Sequence, residues 1–275
     1  MVRAAAGALP FLPRGDRLPD RVVTEELVID RANVAAYAGV TGLRYREEVP
    51  LTYPFVLTFP AVMSLLTAFD FPFPALGAVH VENRITAHRP IAVTDTVGAT
   101  VRAENLREHR KGLLVDFVTD VRVGNSTAWQ QVSTFLHQQR TSLSGEPKPP
   151  QPAPVKLPPP NAVLRISAGR IRRYAAVSGD RNPIHTSAVG ARLFGFPAAI
   201  AHGMFSAAAV LANIEGRLPD RVGYTVRFGK PVLLPAAPGL YVDRVGSDSA
   251  VGWDLALRNI AKGYPHLTAS VRALP

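Results

Sequence analysis

The feature that most constrains this chain is a run of proline. Residues 146–160 read EPKPPQPAPVKLPPP, and more than half of them are proline. Proline has no backbone N–H to give to a sheet, and its ring blocks a continuing helix. The segment therefore reads as an extended, semi-rigid spacer, about 45 Å long at about 3.1 Å per residue. It divides the sequence into an N-terminal unit, 1–145, and a C-terminal unit, 161–275. A chain so divided folds as two bodies of similar size.

The two bodies read as distant copies of one another. Tyr37-Ala38-Gly39-Val40-Thr41 is echoed by Tyr174-Ala175-Ala176-Val177-Ser178. Pro60-Ala61-Val62-Met63 is echoed by Ala201-His202-Gly203-Met204, and Arg89-Pro90-Ile91 by Lys230-Pro231-Val232. The matches keep the same order and nearly the same offset, which points to an internal duplication. In each copy an apolar stretch, 62–69 and 204–214, reads as a helix buried on most sides. Alternating segments follow, at 94–106, 113–123 and 129–136 in the first copy and at 239–245, 250–259 and 266–274 in the second; they read as antiparallel strands. The expected class is α+β, a helix followed by a meander, twice.

Composition removes several kinds of function. With 275 residues and 47% apolar content the chain can bury a large core. It has no cysteine, so a thiolate nucleophile, a disulfide framework and a cysteine metal site are excluded. No run approaches the roughly 20 apolar residues of a membrane span. Residues 4–11 follow Arg3, but Pro10, Pro13 and Asp16 spoil them as a signal peptide, so the expected compartment is the cytoplasm. The net charge is +10, yet the longest basic runs are the pairs Arg110-Lys111 and Arg172-Arg173. Without a basic cluster or aromatic platforms, nucleic acid is not an expected partner. The charge reads first as a solvated surface, and its functional reading is attraction of an anionic partner such as coenzyme A phosphates or an acidic carrier protein. His80, His88, His109, His137 and His266 are scattered without metal-ligand spacing, and there is no glycine-rich nucleotide loop.

One segment carries chemistry: Tyr174-Ala-Ala-Val-Ser-Gly-Asp180-Arg-Asn-Pro-Ile-His185. Its apolar start reads as the end of a short helix, Gly179 permits a tight turn, and Pro183 biases Asn182 to extended backbone. Residues 179–184 are then a fixed turn rather than a helix. Such a turn can aim Asp180 and His185 into one cavity, where a carboxylate and an imidazole can hold a water between them for general acid–base work.

The pattern Tyr-x-x-Val-Ser-Gly-Asp-x-Asn-Pro-Ile-His, with Gly195-Phe196-Pro197 and Ile200-Ala201-His202-Gly203-Met204 downstream, resembles the MaoC-like R-specific enoyl hydratases. The resemblance is sharp over 165–206 and loose over the rest of the second unit. It implies a double hot-dog fold, each half an antiparallel sheet wrapped around a long central helix. It also implies reversible hydration of trans-2-enoyl thioesters to (3R)-hydroxyacyl thioesters, dehydratase in the direction of synthesis and hydratase in that of oxidation. Asp180 and His185 would be the catalytic pair, Asn182 would brace the turn, and the amide of Gly203 would be the oxyanion donor. His202 reads as a capping or core histidine. No cofactor is implied: coenzyme A, or the phosphopantetheine of an acyl carrier protein, enters as part of the substrate. The protein would be a monomer or homodimer. The first copy has Thr41-Gly42-Leu43-Arg44-Tyr45-Arg46 where the motif should stand. It would be catalytically dead and would lodge the acyl chain, with Phe55, Phe59, Phe69, Phe71 and Phe73 as apolar lining, although any single one of them more often simply fills a core. A hot-dog acyl-thioesterase and a non-catalytic acyl-thioester-binding protein are the competing readings. The first would want a carboxylate on the central helix, where 204–214 has none, and the second a spoiled motif.

Overall fold

Ten strands among the described residues of the computed structural model (15, 17–147, 157–246 and 251–275) pair into one antiparallel sheet. The spacer expected at 146–160 has its middle, 148–156, outside the described residues. The first half supplies β1 (Val22–Val28), β2 (Ala78–Ala87), β3 (Thr96–His109), β4 (Gly112–Val123) and β5 (Ser126–Gln138). The second supplies β6 (Ala162–Val163), β7 (Val222–Phe228), β8 (Gly239–Val245), β9 (Gly252–Arg258) and β10 (Pro265–Ala273). Their order is β1-β3-β4-β5-β2-β7-β10-β9-β8-β6. Read inward from either edge, the order is the same, so the sheet repeats the duplication of the sequence. The seam is β2 against β7, from Glu82 opposite Arg227 to Ala87 opposite Val222. An ion pair of 3.0 Å between Arg227 and Glu82 lies across it.

The helices repeat as well. In the first half they are α1 (Arg31–Thr41) and α2 (Tyr53–Leu66); in the second, α3 (Ala168–Ser178), α4 (Pro183–Thr186), α5 (Ala188–Leu193) and α6 (Gly203–Leu211). Helices α1 and α3 are copies. Each starts at a side-chain cap, Asp30 or Ser167, and ends at a left-handed glycine, Gly42 or Gly179. They pack together across the molecule, with the rings of Tyr37 and Tyr174 6.0 Å apart. Helix α6 buries the small side chains of Ala207, Ala208 and Ala209, so β7 comes close enough for the Tyr224 hydroxyl to donate to the carbonyl of Ala207. This is the double hot-dog arrangement implied above.

Three expectations need correction. The helix expected at 62–69 begins at Tyr53, runs through Pro60 and ends at Leu66. Pro54 suits a first turn, where no N–H is needed, and Pro60 removes one backbone hydrogen bond without ending the helix. The helix expected at 204–214 stops at Leu211, where the Asn213 side chain takes up the carbonyls of Ala209 and Val210. The five phenylalanines also divide. Phe71 and Phe73 belong to a closed first-half core with Phe117 and Leu65, Phe69 is exposed, and only Phe55 and Phe59 reach a cavity.

Candidate active site

The motif folds as a chain of small local hydrogen bonds. After α3 ends at Gly179, Ser178 Oγ accepts from the Asp180 amide and Asp180 Oδ1 accepts from the Asn182 amide, at 3.3 and 3.2 Å. Asn182 Oδ1 in turn accepts from the Ile184 amide. Pro183 does not exclude a helix here; it opens one, the single turn α4, because its fixed φ suits the first helical position and its missing N–H costs nothing there. That turn carries His185 inward. Its Nδ1 lies 2.9 Å from the carbonyl of Ile200, which can only accept, so Nδ1 bears the proton and Nε2 presents a lone pair.

His185 Nε2 and Asp180 Oδ2 face each other at 4.0 Å. This is too far for a direct hydrogen bond and suits one water held between two acceptors. Burial is the largest influence on both groups. It raises the Asp180 carboxyl above its usual range, against the attraction of His185, and lowers His185 below the usual imidazole range, against the attraction of Asp180. The two titrate as a pair.

The segment that holds His185 through Ile200 leads directly into His202 and then Gly203, the first residue of α6. The first N–H groups of a helix lack intrahelical acceptors and sit at the positive end of its dipole. Gly203 lines the same cavity as the dyad. A Cβ at Gly203 would stand 3.0 Å from the Phe228 ring, so glycine is what lets this wall close against β7. Asp180, Asn182, His185 and Gly203 thus converge on one wall.

His202, expected as a capping or core histidine, is a core residue that lies against the pair. It is 2% exposed, makes no side-chain cap, and stacks on His185 with ring centroids 3.7 Å apart. Its Nε2 is 2.9 Å from the main-chain oxygen of Asp180 and 3.8 Å from Oδ2. Burial first, and the nearness of His185 second, hold its pKa well below the usual value. At the residue before the central helix, where the second half has His202, the first half has Thr52. The ligand atoms of Asp180, His185 and His202 lie within 4.8 Å of one another. Stacked rings, however, send their in-plane lone pairs side by side rather than to one point, and His202 Nε2 already serves a carbonyl. A ligand to zinc would need its lone pair free for a bond of about 2.0–2.1 Å.

The cavity is about 1630 Å³ and belongs to both halves. From the dyad it passes Phe228 and enters the first half, where Phe55, Phe59, Met63 and Leu66 form a stripe of α2 at helical spacing. At the crossing, His80 packs between Phe135 and Phe228, with ring centroids 4.6 and 4.9 Å away, and burial pushes its pKa down to about 3. Around the cavity stand the cations Lys111, Arg181, Lys230, Arg258 and Lys262, while Asp180 is the one carboxylate among the described lining residues.

The chain is similar over most of its length to known proteins. The family model described as "MaoC like domain" matches residues 144–257. Over all 275 residues the chain is 72% identical to 3-hydroxyacyl-thioester dehydratase X of Mycobacterium tuberculosis, of which it covers 97%. A crystal structure of HtdX from that organism, 67% identical, matches 92% of this chain and 100% of its own with a TM-score of 0.82. A MaoC-like dehydratase from Phytophthora capsici has the same fold at 19% identity, with a TM-score of 0.70 over 94% of this chain and 96% of its own.

Proposed function

The chain belongs to the MaoC-like dehydratase family, and on that premise we propose that Asp180 and His185 interconvert trans-2-enoyl and (3R)-3-hydroxyacyl thioesters. It is a hydro-lyase acting on acyl thioesters. The observation that carries the assignment of residues is the 4.0 Å gap between Asp180 Oδ2 and His185 Nε2, open to a cavity that Gly203 also lines. In hydration, a water in that gap gives its hydrogens to the two acceptors and directs its oxygen at Cβ. The pair takes one proton from the water and returns one to Cα; dehydration runs the same steps backward. Negative charge developing on the thioester oxygen is met by the Gly203 amide at the start of α6. Asn182 keeps the turn in shape through Asp180 and Ile184.

The acyl chain lies along the α2 stripe in the first half, which contributes volume rather than chemistry. The thiol end leaves past the cations. Lys230, stacked 4.3 Å from the Tyr264 ring, and Arg258, tied to the Gly263 carbonyl, form a fixed positive rim with Lys262. That rim suits the phosphates of coenzyme A, and equally the phosphopantetheine of an acyl carrier protein.

The test is to add the protein to trans-2-enoyl-CoA and follow two readouts together. The reading expects loss of the conjugated enoyl thioester absorbance with no release of free thiol. Thiol release without hydration would replace it with hydrolysis.

A further inference from the structure

His80 enters the cavity through an irregularity of its strand. On β2, Ala87, Ile85 and Asn83 stand opposite Trp129, Gln131 and Ser133 of β5, and all six are buried. The alternation continues on β5 to Phe135, but the partner of Phe135 is His80 rather than Val81, because the register shifts between His80 and Glu82. A bulge of this kind re-aims a side chain. Without it, residue 80 would share the outer face with Glu82 and Arg84. Two neighbours hold the edge of the imidazole. The ring hydrogen-bonds to the backbone of Glu82, and its Nε2 lies 3.4 Å from the side-chain nitrogen of Asn83, which also donates to Ser133 Oγ at 3.0 Å.

The ring so held stacks on Phe135 at 4.6 Å and packs against Phe228 at 4.9 Å. Phe228 in turn meets Gly203: a Cβ there would stand 3.0–3.2 Å from its ring atoms. A line of contact thus runs from a strand of the first half to the first residue of α6. The first half has the sizes reversed. Its helix α2 opens with Tyr53 where α6 opens with Gly203. Ala87 stands two residues before Arg89-Pro90-Ile91, where Phe228 stands two before Lys230-Pro231-Val232. A helix opened by glycine and a ring set against it occur together, in the copy that has the reacting turn.

We propose that His80 is a positioning residue for the oxyanion site of the second half: anchored at its edge by Glu82 and Asn83, it backs the Phe228 ring, and Phe228 holds the opening of α6 where the Gly203 N–H meets the thioester oxygen. His80 touches no reacting atom. An oxyanion donor works only within about 2.7–3.1 Å of where the charge develops, so a displaced Gly203 costs rate before it costs binding. Removing the imidazole gives Phe228 room to turn toward the first half and leaves Gly203 without its wall. The first half then supplies a brace as well as room for the acyl chain. The inference rests on the Gly203 amide being the oxyanion donor.

The test uses the full chain and hydration of crotonyl-CoA by His80→Ala, His80→Leu and His80→Phe. The four-carbon chain ends one carbon past the reacting double bond, before the crossing where His80 stands, so a change in its turnover comes through Phe228. The proposal expects kcat to fall about tenfold in His80→Ala and His80→Leu, less than the about hundredfold or more of an oxyanion donor lost outright, with KM little changed. His80→Phe keeps a flat ring against Phe228 and should turn over near the wild-type rate. Circular dichroism melting shows which variants are folded, and His80→Leu, which fills more of the space, carries the test if His80→Ala does not fold. A second readout sees the oxyanion contact itself: the infrared carbonyl stretch of enoyl-CoA, isotope-labelled at the carbonyl and bound to Asp180→Asn, in which turnover is slow. Hydrogen bonding lowers that stretch, and the lowering should shrink when His80→Leu is added. Wild-type crotonyl-CoA turnover in folded His80→Leu, or an undiminished lowering of the stretch, would overturn the positioning role. No lowering in Asp180→Asn alone would instead overturn the assignment of Gly203.

Discussion

Met63→Trp is the substitution that most sharply probes whether the first half lodges the acyl chain. Met63 is third in the α2 stripe, after Phe55 and Phe59 and before Leu66. Phe55 is at the catalytic end, since its ring lies 6.0 Å from His80, which in turn packs on Phe228 beside Gly203. A tryptophan at 63 closes the cavity between the third and fourth members. At 1.5 Å rise per helical residue, that denies the chain about 4.5 Å. An extended chain advances about 1.2 Å per bond, a third of the ~3.6 Å of an extended residue, so about four methylenes are excluded. At about 0.8 kcal/mol per buried methylene the loss is about 3 kcal/mol, or about two hundredfold in kcat/KM. The assay is hydration of a dodecenoyl and a crotonyl thioester by the same preparation, with circular dichroism melting as the control for folding. The long substrate should lose its advantage while the four-carbon one is unchanged. Equal losses for both, or no loss for either, would show that the acyl chain does not follow α2.

Asp180→Asn and His185→Ala should each lower kcat by about a hundredfold or more. Asp180→Asn should also raise the melting temperature at neutral pH, because burial lifts the Asp180 pKa and an ionised carboxylate there opposes folding until the pH falls through that value. His80 has the opposite sign of pH dependence. Its folded pKa, about 3, is below the unfolded value, so stability is lost as the pH falls from about 6.5 toward 3. His80→Phe should unfold with an uptake of about one proton fewer over that window, measured from urea midpoints against pH; an unchanged pH slope would refute it. If the rim of Lys230, Arg258 and Lys262 receives phosphates, kcat/KM for a coenzyme A thioester should fall with salt more steeply than for a phosphate-free thioester, since screening sets in at about 10 Å near 0.1 M. Parallel salt curves would remove the rim from substrate binding.

The sequence made the duplication and the reacting turn readable because both are local. Gly179, Asp180, Asn182, Pro183 and His185 lie within seven positions, and their conformation follows from their own side chains and φ preferences. The seam was not readable. Strands β2 and β7 are joined by pairs such as Glu82 and Arg227, which no periodicity within either segment announces. Helix α2 was cut short by the usual weight of Pro60, which tertiary burial of its apolar stripe overrides. The sequence shows His202 only as a cap or core residue; its stack on His185 and its contact with the carbonyl of Asp180 are created by the fold of the segment through Ile200. The phenylalanines could not be sorted into cavity and core by sequence either, since both environments are apolar.

The most direct test of the central claim is chiral analysis of the product formed from trans-2-enoyl-CoA by the wild type, run beside Asp180→Asn and His185→Ala. The account predicts (3R)-3-hydroxyacyl-CoA from the wild type and almost none from either folded variant. A 3S product, or undiminished formation of the 3R product by either variant, would contradict it.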